Sequence, residues 1–311
     1  MESTRWGIIY CPKQGVRHTH KRWEHIKELL DERQVEYDFV QSEKSDSVER
    51  LTKMLISNGY ETLIIVGGDS ALNRALNGLL TFDDEVRQRV VIGIIPNGRG
   101  NDFATFWGFT EDDDEHTIDA LIKRRLRKVD VGILDCPQWQ EGNEGRRYFL
   151  NCVNVGLVAN IMKLKYKTRA IFGLSALSYF ASMFLLLFQR MESRLRFQVN
   201  EEHIERKVMS VCIGNCRGYG QTPSAVPYNG MLDVSVISTP EVTRLLAGMW
   251  MLFTGKFLNH KNVQAYRTHR ALRFEDIKNV NVSADGRVLK GITAPFKIKL
   301  LPEHINFIIP S

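Results

Sequence analysis

Strand-like and helix-like hydrophobic patterns alternate along the first part of the chain. Short apolar runs that end near glycine, proline or polar residues, as buried strands do, occur at residues 6–11, 36–42, 62–68 and 89–96. Stretches with apolar residues at helical spacing lie between these runs, as at residues 20–33 and 47–59. Because parallel strands need crossovers of about this length, the alternation predicts an α/β fold with a mostly parallel, Rossmann-like sheet.

The pattern then changes to many shorter β-like runs, such as "RLRFQVN", "MLDVSVIS" and "FKIKLLP". Numerous short strands predict an antiparallel sandwich or a barrel-like domain. A chain of 311 residues is long enough for two domains. We therefore predict an α/β domain over residues 1–133, followed by a β-sandwich domain with inserted helices over residues 134–311.

Two apolar stretches interrupt the predicted sandwich. Residues 170–188 carry no charge and are about as long as a membrane span needs to be, but they contain Gly173 and Tyr179 and stand alone in a chain patterned like a soluble enzyme. Residues 248–253 are rich in aromatic and aliphatic side chains. We expect helices that are buried in the core or that touch a membrane surface, and both interpretations stay open.

Charge and cysteine content narrow the cellular setting. The formal net charge of +6 favours anionic lipid surfaces or nucleotide phosphates as partners, but it is too diffuse to indicate nucleic-acid binding. The five cysteines are an odd number in apolar or strand-like surroundings, and no signal peptide precedes them, which predicts a reducing cytoplasm. The charged stretch from Thr110 to Gly132 is interpreted as a helix capped by Thr110, with acids in its first turn and bases in its last, followed by a strand.

The stretch "VGGDSALNRALNGLL" at residues 66–80 is the first candidate for chemistry. Gly67 and Gly68 allow the backbone to approach a ligand closely, and the helix that follows aims free N–H groups at the same spot, which suits a phosphate. Asp69 would repel a phosphate unless a cation or a proton transfer needs it. The residue types therefore predict a Mg²⁺-linked or general-base role for Asp69, with a simple helix N-cap as the alternative.

A second strand ends in the same way, in "IGIIPNGRGNDFA". Gly98 and Gly100 precede Asn101 and Asp102 at a predicted helix start. Two such loops at the carboxyl ends of parallel strands would face one crevice, where open α/β sheets bind ligands. Lys13, in the loop after the first strand, could reach a phosphate there.

These motifs resemble the diacylglycerol kinase catalytic domain family, which includes bacterial lipid kinases and sphingosine kinases. "GGDSALNRALNGL" is similar to the family's GGDGTLNEVVNGL, and "PNGRGNDFA" is similar to its PxGTGNDFA. The likeness continues through "KVDVG", "FLNCVNVGLVA", "PYNGMLDV" and "VSADGRVLKG" to the end of the chain.

The resemblance implies an ATP-binding α/β domain shaped like those of 6-phosphofructokinases and NAD kinases, a β-sandwich after it, and a nucleotide between the two. Mg·ATP would donate its γ-phosphoryl group to a lipid hydroxyl, of a diacylglycerol or a sphingoid or ceramide-like lipid. By position, the expected nucleotide contacts are Lys13, Ser42, Gly67, Gly68, Asp69, Ser70, Gly98, Arg99, Asn101 and Asp102. The expected metal-linked carboxylates are Asp69, Asp130 and Asp233, and the expected proton acceptor is Asp69 or Asp285.

Several positions depart from the family pattern. Arg287 stands where the family has the glutamate expected to accept the proton, and an arginine cannot accept one near neutral pH. Asn229 replaces an aspartate that helps hold a structural Mg²⁺ in many members. The family's loop threonines are replaced by Ala71 and Arg99. An impaired homologue that binds nucleotide or lipid in a regulatory role is therefore an alternative, and a soluble NAD-kinase-like enzyme is a third.

The expected partner is a lipid substrate presented at a membrane surface, with peripheral membrane contact from the cytoplasm and no nucleic acid. One of the two apolar stretches could form a lip around a lipid chain, because an acyl tail needs a long apolar groove. An exposed apolar strand or helix would also allow a homodimer.

Overall fold

The structure, a computed structural model of the chain, describes residues 5–12, 19–43, 47–98, 100–140, 144–157, 159–160, 192–217, 221–238, 261–278 and 280–310. It divides into two compact units. The first unit comprises Met1–Asp130 with Pro302–Ser311, and the second comprises Val131–Leu301.

The first unit is built from alternating strands and helices. In chain order these are β1 (Trp6–Tyr10), α1 (Thr19–Glu32), β2 (Tyr37–Gln41), α2 (Ser47–Ser57), β3 (Thr62–Gly67), α3 (Asp69–Leu79), α4 (Asp84–Arg89), β4 (Val91–Pro96), α5 (Asp102–Phe106) and α6 (Asp114–Lys123). Two longer strands, β5 (Leu126–Asp135) and β16 (Phe296–Ile308), each contribute one end to this unit.

The strands of the first unit form a parallel sheet in the order β2-β1-β3-β4. Trp6 lies opposite Tyr37 on one side and Thr62 on the other, and Thr62 lies opposite Val91. Strands β1, β3 and β4 are buried along their whole length, as expected of parallel strands covered on both faces. Apolar side chains of the helices pack against this sheet, including Trp23, Ile26, Leu30, Ile118 and Leu121.

The second unit contains the remaining strands. These are β6 (Arg146–Phe149), β7 (Cys152–Gly156), β8 (Ser193–Val199), β9 (Glu202–Val208), β10 (Ser210–Gly214), β11 (Leu232–Ile237), β12 (Val263–Thr268), β13 (Leu272–Asp276), β14 (Val282–Ala284) and β15 (Arg287–Leu289). One antiparallel sheet has the order β12-β11-β10-β7-β14-β15. In the other, β8 pairs with β9 and β13, and β13 pairs with the first part of β16.

The inner faces of these two sheets share one hydrophobic core. Alternate residues of β7, β10 and β11 point into it, and the stacked rings of Phe197, Phe274 and Phe296 meet them, with centroids 5.1 and 4.8 Å apart. Two antiparallel sheets around one apolar layer make a β-sandwich. The predicted fold class, an α/β domain followed by a β-sandwich, is confirmed.

Two details of the structure differ from the sequence-based expectations. Residues 302–311, placed in the second domain on sequence, belong to the first unit because Asn306 and Phe307 pair with Val91 and Ile92 of β4. Helix α6 is capped by the side chain of Asp113, which accepts from the His116 N–H at 3.0 Å, so the predicted cap at Thr110 is wrong.

The apolar stretches at residues 170–188 and 248–253 lie outside the described residues. Within the described part of the chain, every helix is too short or too polar to cross a membrane.

Candidate functional site

The order of the parallel strands creates a crevice in the first unit. From β1 the chain moves outward to β2, whereas from β3 it moves to β4 on the opposite side. The loops that follow β1 and β3 therefore diverge at the carboxyl ends of these strands, and ligands of open α/β sheets bind at such a switch point. Hydrogen bonds continue into both loops: the Cys11 N–H donates to Val66 O at 2.9 Å, and the Asn97 N–H donates to Gly67 O at 2.8 Å.

The two predicted glycine loops touch each other through their backbones. A Cβ atom added to Gly68 would lie 2.7 Å from the Cα of Gly98, and one added to Gly98 would lie 2.5 Å from the Cα of Gly68. Both distances are too short for any side chain, so these positions require glycine. The loops after β3 and β4 form one backbone-lined surface, as the sequence predicted.

Asp69 joins these two loops. Its Oδ2 accepts the Asp102 N–H and its Oδ1 accepts the Phe103 N–H, each at 3.0 Å. The N-cap of α3 is Gly68, which makes no side-chain capping bond, so the alternative that Asp69 caps its own helix is wrong. The carboxylate of Asp69 instead holds the first backbone N–H groups of α5.

The ring of Phe103 anchors this arrangement from behind. Phe103 is completely buried, and its ring packs edge-on against Phe307 of β16 at 5.1 Å between centroids. The returning C-terminal segment thus supports the helix whose N–H groups Asp69 holds. No local sequence pattern indicated this support, because more than half of the chain separates the two rings.

Asp69 and Asp102 flank Gly100. One oxygen of each carboxylate lies 3.2 Å from the position that a Cβ on Gly100 would take. The described residues contain no cluster of three or more His, Cys, Asp or Glu side chains able to hold a metal ion by themselves. Two carboxylates beside a glycine loop fit Mg²⁺ that arrives with phosphates, because this ion keeps waters and shares its ligands between one or two carboxylates and the substrate phosphates.

Asn101 determines the shape of the second loop. It adopts a left-handed conformation with φ of 54°, its Oδ1 accepts the Gly98 N–H at 2.9 Å, and its Nδ2 donates to Glu111 Oε1 at 2.9 Å. With only 7% of its surface exposed, Asn101 serves to position the loop. The sequence predicted its place in the site but not this internal bonding.

The other predicted nucleotide residues of the described chain lie along the same edge of the sheet. Ser42 is buried after β2, and its N–H donates to Tyr10 O at 2.8 Å. Ser70 is exposed in the first turn of α3.

The thiol of Cys11 is hydrogen-bonded with Ser42. Burial raises the pKa of this thiol to about 11, against the opposing effect of the hydrogen bond, so Cys11 is a neutral thiol near pH 7. Lys13 and Arg99 lie outside the described residues.

Arg22 is a part of the site that sequence reasoning missed. From α1, its Nη1 donates to Pro96 O at 2.8 Å and to Asn97 Oδ1 at 3.2 Å, and its Nε donates to Asp114 Oδ2 at 3.0 Å. Arg22 therefore holds the start of the second glycine loop against α6. It lies in the stretch at residues 20–33, whose helical spacing gives no sign of this role.

Asp130 lies deep in the first unit, with 1% of its surface exposed. Its Oδ1 accepts the Glu303 N–H at 2.8 Å and so fixes the point where the chain returns through β16. Its expected link to a metal stays a prediction.

Asp285 belongs to the second unit, so the structure does not bring it together with Asp69 in one unit. Its carboxylate is 3% exposed and accepts the backbone N–H groups of Leu150, Asn151 and Cys152 at 2.8, 2.9 and 3.0 Å. These bonds tie the β14–β15 turn to the start of β7. Arg287 begins β15 directly after that turn.

Asp233 does not fit the structural metal site that the family pattern implies. It lies opposite Arg267 in the β11–β12 pair, and the guanidinium binds both of its oxygens, with Nε to Oδ1 at 2.7 Å and Nη2 to Oδ2 at 3.2 Å. Asn229 uses its Oδ1 to accept the Met231 N–H at 2.9 Å. The positive charge beside Asp233 thus comes from an arginine, and no chemistry is assigned to a metal there.

Comparisons with known proteins match both units. The family model of the diacylglycerol kinase catalytic domain matches residues 5–134, and that of the YegS C-terminal NAD kinase beta sandwich-like domain matches residues 151–309. A diacylglycerol kinase of Staphylococcus saprophyticus is 22% identical over 309 residues, covering 98% of this chain and 95% of that protein.

Solved structures agree on the fold. A diacylglycerol kinase of Bacillus anthracis superposes with a TM-score of 0.70 at 18% identity, over 99% of this chain and 97% of that one. Yeast NADH kinase superposes with a TM-score of 0.55 at 8% identity, over 100% of this chain and 85% of that one. At such identities the likeness shows the fold alone.

Proposed function

Because the chain belongs to the diacylglycerol kinase catalytic domain family, we propose that it is an ATP- and Mg²⁺-dependent lipid kinase that transfers the γ-phosphoryl group of ATP to a lipid hydroxyl. The observation that carries this proposal is the contact between the two glycine loops, with Asp69 and Asp102 beside it. In phosphoryl transfer the protein mainly positions groups and neutralises charge. The glycine loops would position the phosphates, and the two carboxylates would hold the ion that neutralises their charge.

The backbone of Gly67, Gly68 and Gly98 would contact the nucleotide phosphates, since no side chain stands between the loop and a ligand. Asp69 and Asp102 would hold Mg²⁺ together with those phosphates. When bound, the ion neutralises charge on the transferred group. Arg22 and Asn101 act as positioning residues, because their hydrogen bonds hold the second loop in place against the first.

We assign the proton-accepting role to Asp69 rather than to Asp285. Asp69 is half-buried at the edge of the glycine loops, where a substrate can approach it, whereas Asp285 is only 3% exposed. Arg287 cannot accept a proton at all.

The proposed acceptor is a diacylglycerol or a sphingoid or ceramide-like lipid presented at a membrane surface, which the protein would reach from the cytoplasm as a peripheral enzyme. The names of the relatives support diacylglycerol. The lost glutamate at Arg287 also keeps a second candidate open, a homologue of impaired catalysis with a regulatory binding role.

A panel assay tests the proposed function. Purified full-length protein receives Mg²⁺ and radiolabelled ATP with diacylglycerol, a sphingoid base, ceramide or monoacylglycerol in mixed micelles, and with NAD as a soluble acceptor. We expect label in at least one lipid and none in NAD. Labelled NAD, or no transfer to any lipid, would contradict the proposal.

Substituting Arg287→Glu separates the two candidates. If the native protein is inactive and the variant gains activity, the chain is an impaired homologue. If the native protein is active and the variant is not improved, the site works with the arginine, as the lipid kinase proposal expects.

A further inference from the structure

A carboxylate from the segment between α5 and α6 contacts the second glycine loop. Glu111 Oε1 accepts a hydrogen bond from Asn101 Nδ2 at 2.9 Å, and Glu111 is half-buried. Helix capping does not account for this acid, because it lies before Asp113, the N-cap of α6. A negative charge beside a loop that would bind phosphates is unfavourable by itself. The contact with Asn101 therefore calls for a role in the loop.

The side chain of Asn101 contacts both glycine loops at the point where they touch. Its Oδ1 accepts the Gly98 N–H at 2.9 Å, and its Nδ2 donates to Gly98 O at 3.3 Å. The same Oδ1 lies 3.2 Å from the position that a Cβ on Gly68 would take. A change in the orientation of this amide would therefore disturb both loops.

The hydrogen-bonding partners of Asn101 allow only one orientation of its amide. The Gly98 N–H can only donate, and the ionised carboxylate of Glu111 can only accept. Both are satisfied when the amide oxygen faces Gly98 and the amide nitrogen faces Glu111. In the flipped amide, two donors would face each other at Gly98 and two acceptors at Glu111. Glu111 thus locks the side chain that holds Gly98.

The backbone on both sides of Glu111 is anchored. Two residues earlier, Phe109 is completely buried, and its N–H donates to Ala104 O at 3.0 Å. Two residues later, the side chain of Asp113 accepts the His116 N–H at 3.0 Å. The carboxylate of Glu111 is therefore presented to the loop from a fixed part of the fold.

The other end of the loop follows the same rule. Asn97 Oδ1 accepts from Arg22 Nη1 at 3.2 Å, and Asn97 Nδ2 donates to Cys11 O at 3.1 Å. A guanidinium can only donate and a backbone carbonyl can only accept, so Arg22 sets the amide of Asn97. Each end of the second glycine loop is held by an asparagine whose orientation is set by a charged side chain from a distant element.

We propose that Glu111 is a positioning residue of the nucleotide site. It sets the amide of Asn101 and so keeps the second glycine loop against the first, and it acts through Asn101 rather than on the nucleotide itself. The inference rests on the proposed function, in which these loops bind the phosphates of ATP. Loss of Glu111 should therefore weaken ATP binding more than it slows phosphoryl transfer.

Calorimetric titration of the full-length protein with Mg·ATP, in the absence of lipid, tests this role. Glu111→Ala should raise the Kd of ATP about tenfold, because the loss of one charge-assisted hydrogen bond frees the amide. Glu111→Gln should stay within about twofold of the native Kd, since its Oε1 still accepts. The matched control Asp112→Ala removes the same charge at an exposed neighbour and should leave the Kd unchanged. In steady-state kinetics, Glu111→Ala should raise the KM for ATP more than it lowers kcat.

A double variant tests whether Glu111 acts through Asn101. Asn101→Gly removes the amide but keeps the left-handed backbone, because glycine accepts a positive φ. Adding Glu111→Ala to Asn101→Gly should raise the Kd no further, since two residues that act through one contact are not additive. Additive losses would overturn the proposal, as would a Glu111→Gln variant that binds as weakly as Glu111→Ala. A lowered Tm with a native Kd in Glu111→Ala would show a purely structural role and also overturn it.

The same measurements separate this inference from the proposed function. A native protein that binds ATP but phosphorylates no lipid refutes only the kinase, whereas lipid kinase activity with a native Kd in Glu111→Ala refutes only the positioning role. A native protein that does not bind ATP refutes both. Circular dichroism confirms that each variant is folded. If Glu111→Ala does not fold, Glu111→Leu fills the same space without an acceptor and should raise the Kd equally.

Discussion

Asp69 links sequence and mechanism more directly than any other residue of the chain. The glycine pair before it made the carboxylate a candidate for metal or proton chemistry, and its position next to a second glycine loop is borne out by the backbone contact of Gly68 with Gly98. What the motif did not reveal is that Asp69 also holds the N–H groups of Asp102 and Phe103. One side chain builds the site and, in the proposed mechanism, also acts in it.

Arg22 shows which contributions a local pattern cannot reveal. Its contact with Pro96 joins residues 74 positions apart, and an arginine in a basic stretch carries no sign of its partner. The glycine loops could be predicted because each is a continuous motif after a strand. The residues that hold them in place come from distant elements and become visible only in the folded chain.

We predict that Arg22→Ala raises the KM for ATP by about tenfold and lowers kcat less. Loss of the guanidinium frees the start of the second loop, and one charge-assisted hydrogen bond is worth roughly 1.5 to 3 kcal/mol, of which only part appears in binding. Steady-state kinetics measure the effect, with Lys21→Ala, an exposed neighbour in α1, as the control. An unchanged KM in Arg22→Ala would show that the loop does not depend on this contact.

The β11–β12 pair shows how an element can compensate for a missing ligand. Asn229 stands where the family pattern has an acid, and Arg267 on the adjacent strand binds the acid that remains, Asp233. Asp233 is largely buried, so an unpaired charge there would be costly. The ion pair removes that cost without a metal.

The second unit should therefore be stable without divalent metal. We expect the Tm of the native protein, without nucleotide, to be the same in EDTA and in Mg²⁺. Arg267→Met should lower the free energy of unfolding by about 1 to 2 kcal/mol. The expected effect is small because solvent screens the half-exposed guanidinium. The control Arg194→Met breaks the exposed pair with Glu205 and should have little effect. A Tm that falls in EDTA for the native protein would contradict this interpretation.

His304 in β16 should make the stability of the returning segment depend on pH. Burial, followed by the positive charge of Arg87, lowers the pKa of His304 in the folded protein. Above the unfolded pKa of about 6.5 both states are neutral and the full stability is present. As the pH falls below that value the unfolded state binds more protons, so stability is lost progressively toward the folded pKa.

The measurement is Tm as a function of pH between neutrality and mild acid, for the native protein and for His304→Gln. The variant should lose less stability on acidification, because it has no proton to take up at this position. Equal slopes for the two proteins would refute the contribution of His304.

The strands and helices themselves were largely predictable. Periodicity located β1, α1, β2 and α2 within a few residues, because each is a continuous stretch with one buried face. The return of residues 302–311 to the first unit was not predictable, since a terminal β-run can pair with either sheet. The cap of α6 was placed at Thr110 rather than at Asp113 because several residues of that stretch can cap a helix.

The molecule as a whole combines an α/β unit that carries the glycine loops with a β-sandwich unit that carries Asp285 and Arg287. This fold also superposes on an NADH kinase, so fold alone does not determine the substrate. The family follows from the matched domains, whereas the chemistry depends on particular side chains. The departures at Arg287 and Asn229 make direct measurement of catalysis the decisive step.

The most direct test compares phosphoryl transfer by the native protein and by Asp69→Asn. Purified full-length proteins receive Mg·ATP and the preferred lipid of the panel, and the lipid phosphate formed is quantified by mass spectrometry, with Asp84→Asn, an exposed acid of the same unit, as the control. The account predicts that Asp69→Asn lowers kcat by about 100- to 10,000-fold while circular dichroism shows a folded protein, because the variant loses its proton acceptor and a metal-linked charge. A folded Asp69→Asn variant with a kcat near that of the native protein would contradict the account.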